Sequence, residues 1–513
     1  MKSNKFFNLM VLGMAGMCVS CASTGSADSN VADVEKFSEM QIRFATKAVK
    51  PVSQNNPVIQ HEFTADPCVL VYDDTVYIYG TNDGQQADST LGKTDNNYNK
   101  IKSLKVYSSK DLVNWTDCGQ INVAGKAGAA KWASNSWAPA ICTKKIDGKD
   151  KFFIYFADSA NGIGVITADS PLGPYSDPIG KALVNRATDG CKGVYWLFDP
   201  AVLIDDDGKG YLYLGGGTDG DAEHPKSARV VALGDDMTSL AGKLTEIDPP
   251  FLFEDSGINK INGKYYYSYC ANWSDRKNAK GKDVPPAATI AYMTSDSPMG
   301  PFTYAGYTLK NPGSYFGAWG NNHHWIFEFK GKYYIAYHSQ IMEKSLGFEK
   351  GGYRSLMLNE FEINSDGSWP VQNVTKAGVS AVADFNPFEK INASTMHSCK
   401  NIVVTDKQTV CPVYEQGSAG YVCLKNVNFG NDENSKISVC LKMAENCKGG
   451  KISIYVDSMT EQNLISDVKI KKTGKDGAEI KTKVNFVPDG KAHTLYFAMA
   501  GDIELENWQF VQE

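Results

Sequence analysis

Three carboxylates head similar phrases in this sequence: Asp66 before Pro-Cys-Val-Leu-Val-Tyr, Asp199 before Pro-Ala-Val-Leu-Ile, and Glu254 before Asp-Ser-Gly-Ile-Asn. Carboxylates brought to one place repel, so their pKa values separate; one stays protonated near neutrality while another stays ionised. A protonated acid opposite an ionised base is what acid–base hydrolysis of a glycosidic bond requires. Taken singly, an Asp-Pro is a strand-entry device and a lone Glu is a solvated side chain. The functional reading therefore rests on recurrence, and on whatever fold brings the three together.

Each phrase runs from a polar head through an apolar strand and a tight turn to an aromatic-rich second strand, the pattern of a β-hairpin. Two further copies start at Trp137, ahead of Asp147-Gly148 and Phe152, and at His323, ahead of Gly331 and Tyr333-Tyr334. Units recurring roughly every 55–70 residues indicate the blades of a β-propeller, five in number. The leading end of each blade's first strand reaches one mouth of the central channel, which places Asp66, Trp137, Asp199, Glu254 and His323 around one axis.

The remaining composition bounds the alternatives. A net charge of -6 over 513 residues, without a local basic cluster, gives no footprint for nucleic acid. Lys2 and Lys5 precede an apolar run, Phe6 to Val19, that is too short to span a bilayer and has the form of an export signal. Residues 22–54 read as a flexible tether. Residues 55–380 read as the propeller, and the short alternating strands of 384–513 as a β-sandwich, so the fold class is all-β. Disulfides are open to an exported chain, although ten cysteines beyond Cys18 and Cys21 match no zinc spacing. Asp205-Asp-Asp-Gly lacks the spaced ligands of a calcium loop, and Gly215-Gly-Gly-Thr lacks the ending of a phosphate loop.

Ala65-Asp-Pro, Asn135-Ser-Trp-Ala-Pro, Phe198-Asp-Pro, Phe253-Glu-Asp-Ser and Asn322-His-His together resemble glycoside hydrolase family 43 across the whole propeller segment. The resemblance implies hydrolysis of arabinose- and xylose-containing plant polysaccharides with inversion of configuration. It implies Asp66 as general base, Glu254 as general acid, and Asp199 as the carboxylate that raises and orients the acid. His323 resembles the family's channel histidine, beside a structural calcium reached through water, with His324 as the alternative in register. Arg354 resembles the arginine that grips the sugar, Trp137 an apolar wall, and Trp132 and Trp273 flanking subsites. No cofactor is implied for the chemistry.

Gly80-Thr-Asn-Asp-Gly and Phe251-Leu-Phe-Glu-Asp-Ser look most like arabinofuranosidases acting on arabinoxylan, with β-xylosidase as the alternative within the family. A non-catalytic glycan-binding lipoprotein is the alternative of another class. Cys18-Val-Ser-Cys21 resembles a lipobox, which implies a lipid on Cys21, a signal peptide over 1–21, and a bacterial envelope or secreted location. The segment 384–513 resembles carbohydrate-binding module family 6, but Tyr421 is the one cleft aromatic kept, with Leu424 and Glu504 at other cleft positions. The protein is expected to act as a monomer whose membrane contact runs only through the lipid.

Overall fold

The computed structural model describes residues 36–277, 279–413 and 419–513, so Cys21 and the expected signal segment lie outside the described residues. Tight turns set the architecture. At Asp73-Asp74, Asp147-Gly148, Asn262-Gly263 and Lys330-Gly331 both central residues have φ between 49° and 79°, the left-handed pair that matches strand twist in a two-residue hairpin. Each turn joins the first and second strands of a sheet: Ala65–Tyr72 to Thr75–Thr81, Trp137–Ile146 to Lys149–Ala157, Leu252–Ile261 to Lys264–Ala271, and His324–Phe329 to Lys332–Ser339. Between the second and third of these, Ala201–Ile204 pairs with Gly210–Leu214 through the Asp205–Gly208 turn.

The protein is all-β apart from short helices. Five antiparallel sheets follow one another along the chain, each of three or four consecutive strands. The first strand of each touches the first strand of the next, and that of the fifth touches that of the first, so five strands close a ring around one axis.

Ile391–Asn392 and the strands within 398–512 form a six-stranded and a five-stranded sheet around one apolar core, including Val422, Leu441, Ile454, Phe497 and Trp508. This segment is stitched to the first sheet. Thr395–Met396 pairs with the strand Trp115–Asn122, and Asn114 exchanges hydrogen bonds of 2.8 Å with the backbone of Lys425. Leu424 is fully buried in the core and lines no cleft. Tyr421 packs edge-on to Tyr496 at 5.9 Å, and Glu504 is occupied by Thr409 and Lys36.

The tether reading needs correction over its described part. Ser38 caps the helix Glu39–Lys47 in a reciprocal box with Gln41, and Met40, Phe44 and Ala45 are buried. Phe44 lies 5.0 Å from Phe63, so this segment packs as structure. The ten described cysteines from Cys68 to Cys447 are free thiols. Among the described residues no helix is long and apolar enough to cross a membrane.

Candidate active site

The ring is capped at one end by a kink in the backbone. Asp66, Ala138, Asp199 and Asp255 all adopt positive φ, 46°, 35°, 49° and 71°, a conformation that costs a non-glycine residue about 1–3 kcal/mol and collects at functional sites. Strand pairing slips at three of these points, between Ala65 and Cys68, Trp137 and Ala140, and Glu254 and Gly257.

These kinks correct the expected register. The equivalent positions are Asp66, Ala138, Asp199, Asp255 and His324, which with the residue after each line a void of about 10 Å³ on the axis. Trp137, Glu254 and His323 stand one residue earlier. Those three earlier side chains face the mouth together with Asp66 and Asp199, whereas Ala138, Asp255 and His324 face the axial void. The mouth holds a cavity of about 310 Å³, and Asp66, Trp137, Asp199, Glu254, His323 and Arg354 all line it.

At the centre lies the buried ring of His323. Its Nδ1 is 3.5 Å from Asp66 and 3.6 Å from Asp255; its Nε2 is 3.2 Å from Asp199 and 4.0 Å from Glu254. Burial alone would lower the imidazole pKa, but Asp66, Asp255 and Asp199 overcome it and hold His323 well above its ordinary value. His324, the alternative in register, is locked away, its Nδ1 on Asp255 at 2.5 Å and its Nε2 on Ser268 at 2.7 Å.

The two carboxyls expected to do chemistry are driven apart. Burial pushes Glu254 up to about 8, with Asp199, Asp66 and Asp255 adding to the shift against His323. Its Oε1 is buried without a hydrogen-bond partner. Burial would also raise Asp66, but the Arg354 guanidinium, then His323 and His338, hold it well below the usual carboxylate range. Asp199 accepts the backbone N–H of Asp255 at 2.9 Å, which ties it to the residue following the acid.

Arg354 does more than face a sugar. Its Nη1 donates to Asp66 at 2.7 Å, while Nε and Nη2 donate to Asp83 at 2.8 Å each. Its guanidinium lies 4.8 Å over the Tyr98 ring, and the Tyr98 carbonyl accepts the Trp137 indole N–H at 3.0 Å. Trp196 completes the wall, edge-on to Phe198 and Phe253 at 5.4 and 5.3 Å.

Trp132 takes no part: it stacks on Phe156 and gives its N–H to Asp177. Trp273 is outside the cavity lining, half-exposed and edge-on to Trp319 at 6.5 Å. Tyr195, Trp273 and Trp319 are the exposed aromatic side chains among the described residues. Tyr195 precedes Trp196 of the lining, Trp319 lies two residues before Asn321 of the lining, and Trp273 packs on Trp319.

A calcium ion takes six to eight oxygen ligands at 2.3–2.6 Å. The axial void beside His323 has room for about one water. Both His323 nitrogens face carboxylates, and those of Asp66 and Asp255 already serve Arg354 and His324. The residues as placed do not fit a calcium ion.

Asp83, Asp255, His338, Tyr98 and Trp196 were not assigned roles from the sequence. Asp83 falls inside the Gly80-Thr-Asn-Asp-Gly stretch, Asp255 directly follows Glu254, and His338 ends the fifth repeat phrase.

Similarity to known proteins agrees with this geometry. Over 497 residues the chain is 43% identical to an arabinoxylan arabinofuranohydrolase of Bacillus subtilis (strain 168), covering 91% of this chain and 94% of that protein. It is 40% identical to an arabinoxylan arabinofuranohydrolase of Paenibacillus polymyxa, covering 92% and 77%. The crystal structure of a family 43 arabinoxylan arabinofuranohydrolase from Bacillus subtilis in complex with cellotetraose superposes with a TM-score of 0.84 at 41% identity, over 92% of this chain and all of that one. With residues 54–370 also matching the model of glycosyl hydrolases family 43, the chain belongs to that family and is a glycoside hydrolase.

Proposed function

We propose that the protein is an inverting α-L-arabinofuranosidase that removes arabinofuranosyl side groups from arabinoxylan or its oligosaccharides. The observation that carries this is the separation of two buried carboxyls around one imidazole, Glu254 held protonated and Asp66 held ionised. They face opposite nitrogens of His323, which supports a gap of the kind an inverting pair needs, about 6.5–9.5 Å. Glu254 gives its proton to the glycosidic oxygen as the C1–O bond breaks. A water attacks C1 from the opposite face and passes its proton to Asp66, which leaves the anomeric configuration inverted. Asp199 keeps the acid protonated through its charge. No cofactor is needed, and no step is assigned to a metal.

The choice of an arabinosyl side group is supported by the two relatives at 40–43% identity, both arabinoxylan arabinofuranohydrolases. The exposed aromatics beside the mouth suit a polysaccharide backbone lying across it while one side group enters. In this reading the five sheets are the blades of a propeller, supported by the closed ring of first strands, and the C-terminal pair is a sandwich, supported by its single shared core. Cys21 carries a lipid that holds the enzyme at a bacterial envelope; Cys21→Ser would then move the protein from the membrane fraction into the medium or the soluble fraction.

The test is hydrolysis of aryl α-L-arabinofuranoside beside aryl β-D-xyloside, with Glu254→Gln as control. Faster arabinoside cleavage, lowered by about 10³-fold in the variant, is expected. Faster xyloside cleavage would make the enzyme a β-xylosidase, and binding without turnover would make it a glycan-binding protein.

A further inference from the structure

Asp83 is far from the expected catalytic set in sequence and has no solvent exposure. Its Oδ1 accepts Nη2 of Arg354, and its Oδ2 accepts both Nε and the backbone N–H of the same residue, at 2.8, 2.8 and 3.1 Å. A guanidinium is a rigid planar fork. With one edge gripped and the main chain of Arg354 held by the same carboxylate, the direction of Nη1 is fixed. That direction ends on Oδ1 of Asp66 at 2.7 Å.

Asp66 is held from a second side, its backbone N–H donating to Nδ1 of His338 at 3.1 Å while Nε2 of His338 faces the Asn321 carbonyl at 3.0 Å. The contacts from Arg354, His338 and His323 all fall on Oδ1 of Asp66. Oδ2 takes none of them and is the oxygen left to receive a proton from water.

We propose that Asp83 is a positioning residue for the hydrolysis, acting through Arg354 to aim the carboxylate of Asp66 at the attacking water. The inference rests on the reading of Asp66 as general base. Loss of the grip lets Nη1 slide along Asp66, and a displacement of about 1 Å at a reacting group costs on the order of 10²-fold in rate.

The experiment compares the parent, Asp83→Asn and Asp83→Glu on an aryl α-L-arabinofuranoside, with and without sodium azide, alongside thermal unfolding. Asp83→Asn keeps the shape but turns N–H groups toward the guanidinium. Its kcat is expected to fall about 10²-fold, with KM within about threefold and the fold intact. Azide is expected to restore much of the rate and to appear in an arabinofuranosyl azide of inverted configuration. Azide attacks C1 with its own charge and surrenders no proton, so it bypasses the base while Glu254 still protonates the departing oxygen. Asp83→Glu, which keeps the charge, is expected to recover part of kcat without azide.

An unchanged kcat in Asp83→Asn overturns the inference, and so does a folded, inactive variant that forms no azide product, because a merely structural loss is not rescued. Should Asp83→Asn fail to fold, Arg354→Lys, which cannot reach both carboxylates at once, is expected to show the same azide-dependent rescue; absence of rescue there also overturns the inference. A parent inactive on every arabinofuranoside overturns the underlying reading, whereas an active parent with an unaffected Asp83→Asn overturns this inference alone.

Discussion

The ring of first strands and the C-terminal pair of sheets are both built from alternating strands and tight turns, yet they bury opposite things. The C-terminal core is apolar throughout, with Leu424, Ile454, Phe497 and Trp508 at or below 1% exposure. The ring closes on Asp66, Asp199, Glu254, Asp255, His323 and Arg354, all below 9% exposure, on a backbone kinked into left-handed φ. Buried charge is costly even when paired, and so is the kink. Buried charge at one end of the ring, with no buried Asp, Glu, Lys or Arg among the described residues of 398–512, marks where stability has been given up for chemistry.

The sharpest break of that contrast is Glu254→Gln. It should lower kcat on arabinofuranosides by about 10³-fold, within the range for losing a general acid. It should also raise the thermal midpoint at pH 8–9. Glu254 has a folded pKa of about 8 against an ordinary 4.5, so the unfolded chain releases its proton first and stability falls as pH rises between those values. Gln carries no such loss.

In the C-terminal core the effects should reverse. Phe497→Ala is expected to cost about 3–5 kcal/mol of stability by denaturant titration, while kcat per folded molecule stays at the parent value.

The pH profile should be asymmetric. Above about 8 the rate should fall tenfold per unit as Glu254 ionises, and the acid limb should lie at low pH because Asp66 is held well below the usual range. In Asp199→Asn the alkaline limb should move down by on the order of half a unit to one unit, since the charge that favours protonated Glu254 is gone. The smallest effect belongs to the rim: Trp319→Ala should raise KM for polymeric arabinoxylan about threefold to tenfold and leave aryl arabinofuranoside kinetics unchanged.

Much of the site was legible because a repeated phrase forces its heads together. Asp-Pro at 66 and 199, and the hairpin turns behind each head, mark strand entries that a ring then gathers. The register at Glu254 was less legible. Side-chain direction there depends on a left-handed residue at Asp255, and an acidic pair such as Glu254-Asp255 does not say which member takes the kink. Asp83 was hidden for a different reason, since its role exists only through Arg354, 271 residues away. The helix Glu39–Lys47 had a local signal in Ser38 and Gln41, outweighed by the polar composition around it. Trp132 shows the limit of residue type alone, because an indole serves a core as readily as a sugar.

Inverting release of arabinosyl side groups is read directly from the anomeric proton signals during early hydrolysis of arabinoxylan by the parent enzyme. Free arabinose is expected as the released sugar, appearing first as the β-anomer and only later equilibrating. Arabinose appearing first as the α-anomer, or xylose as the released sugar, would contradict it.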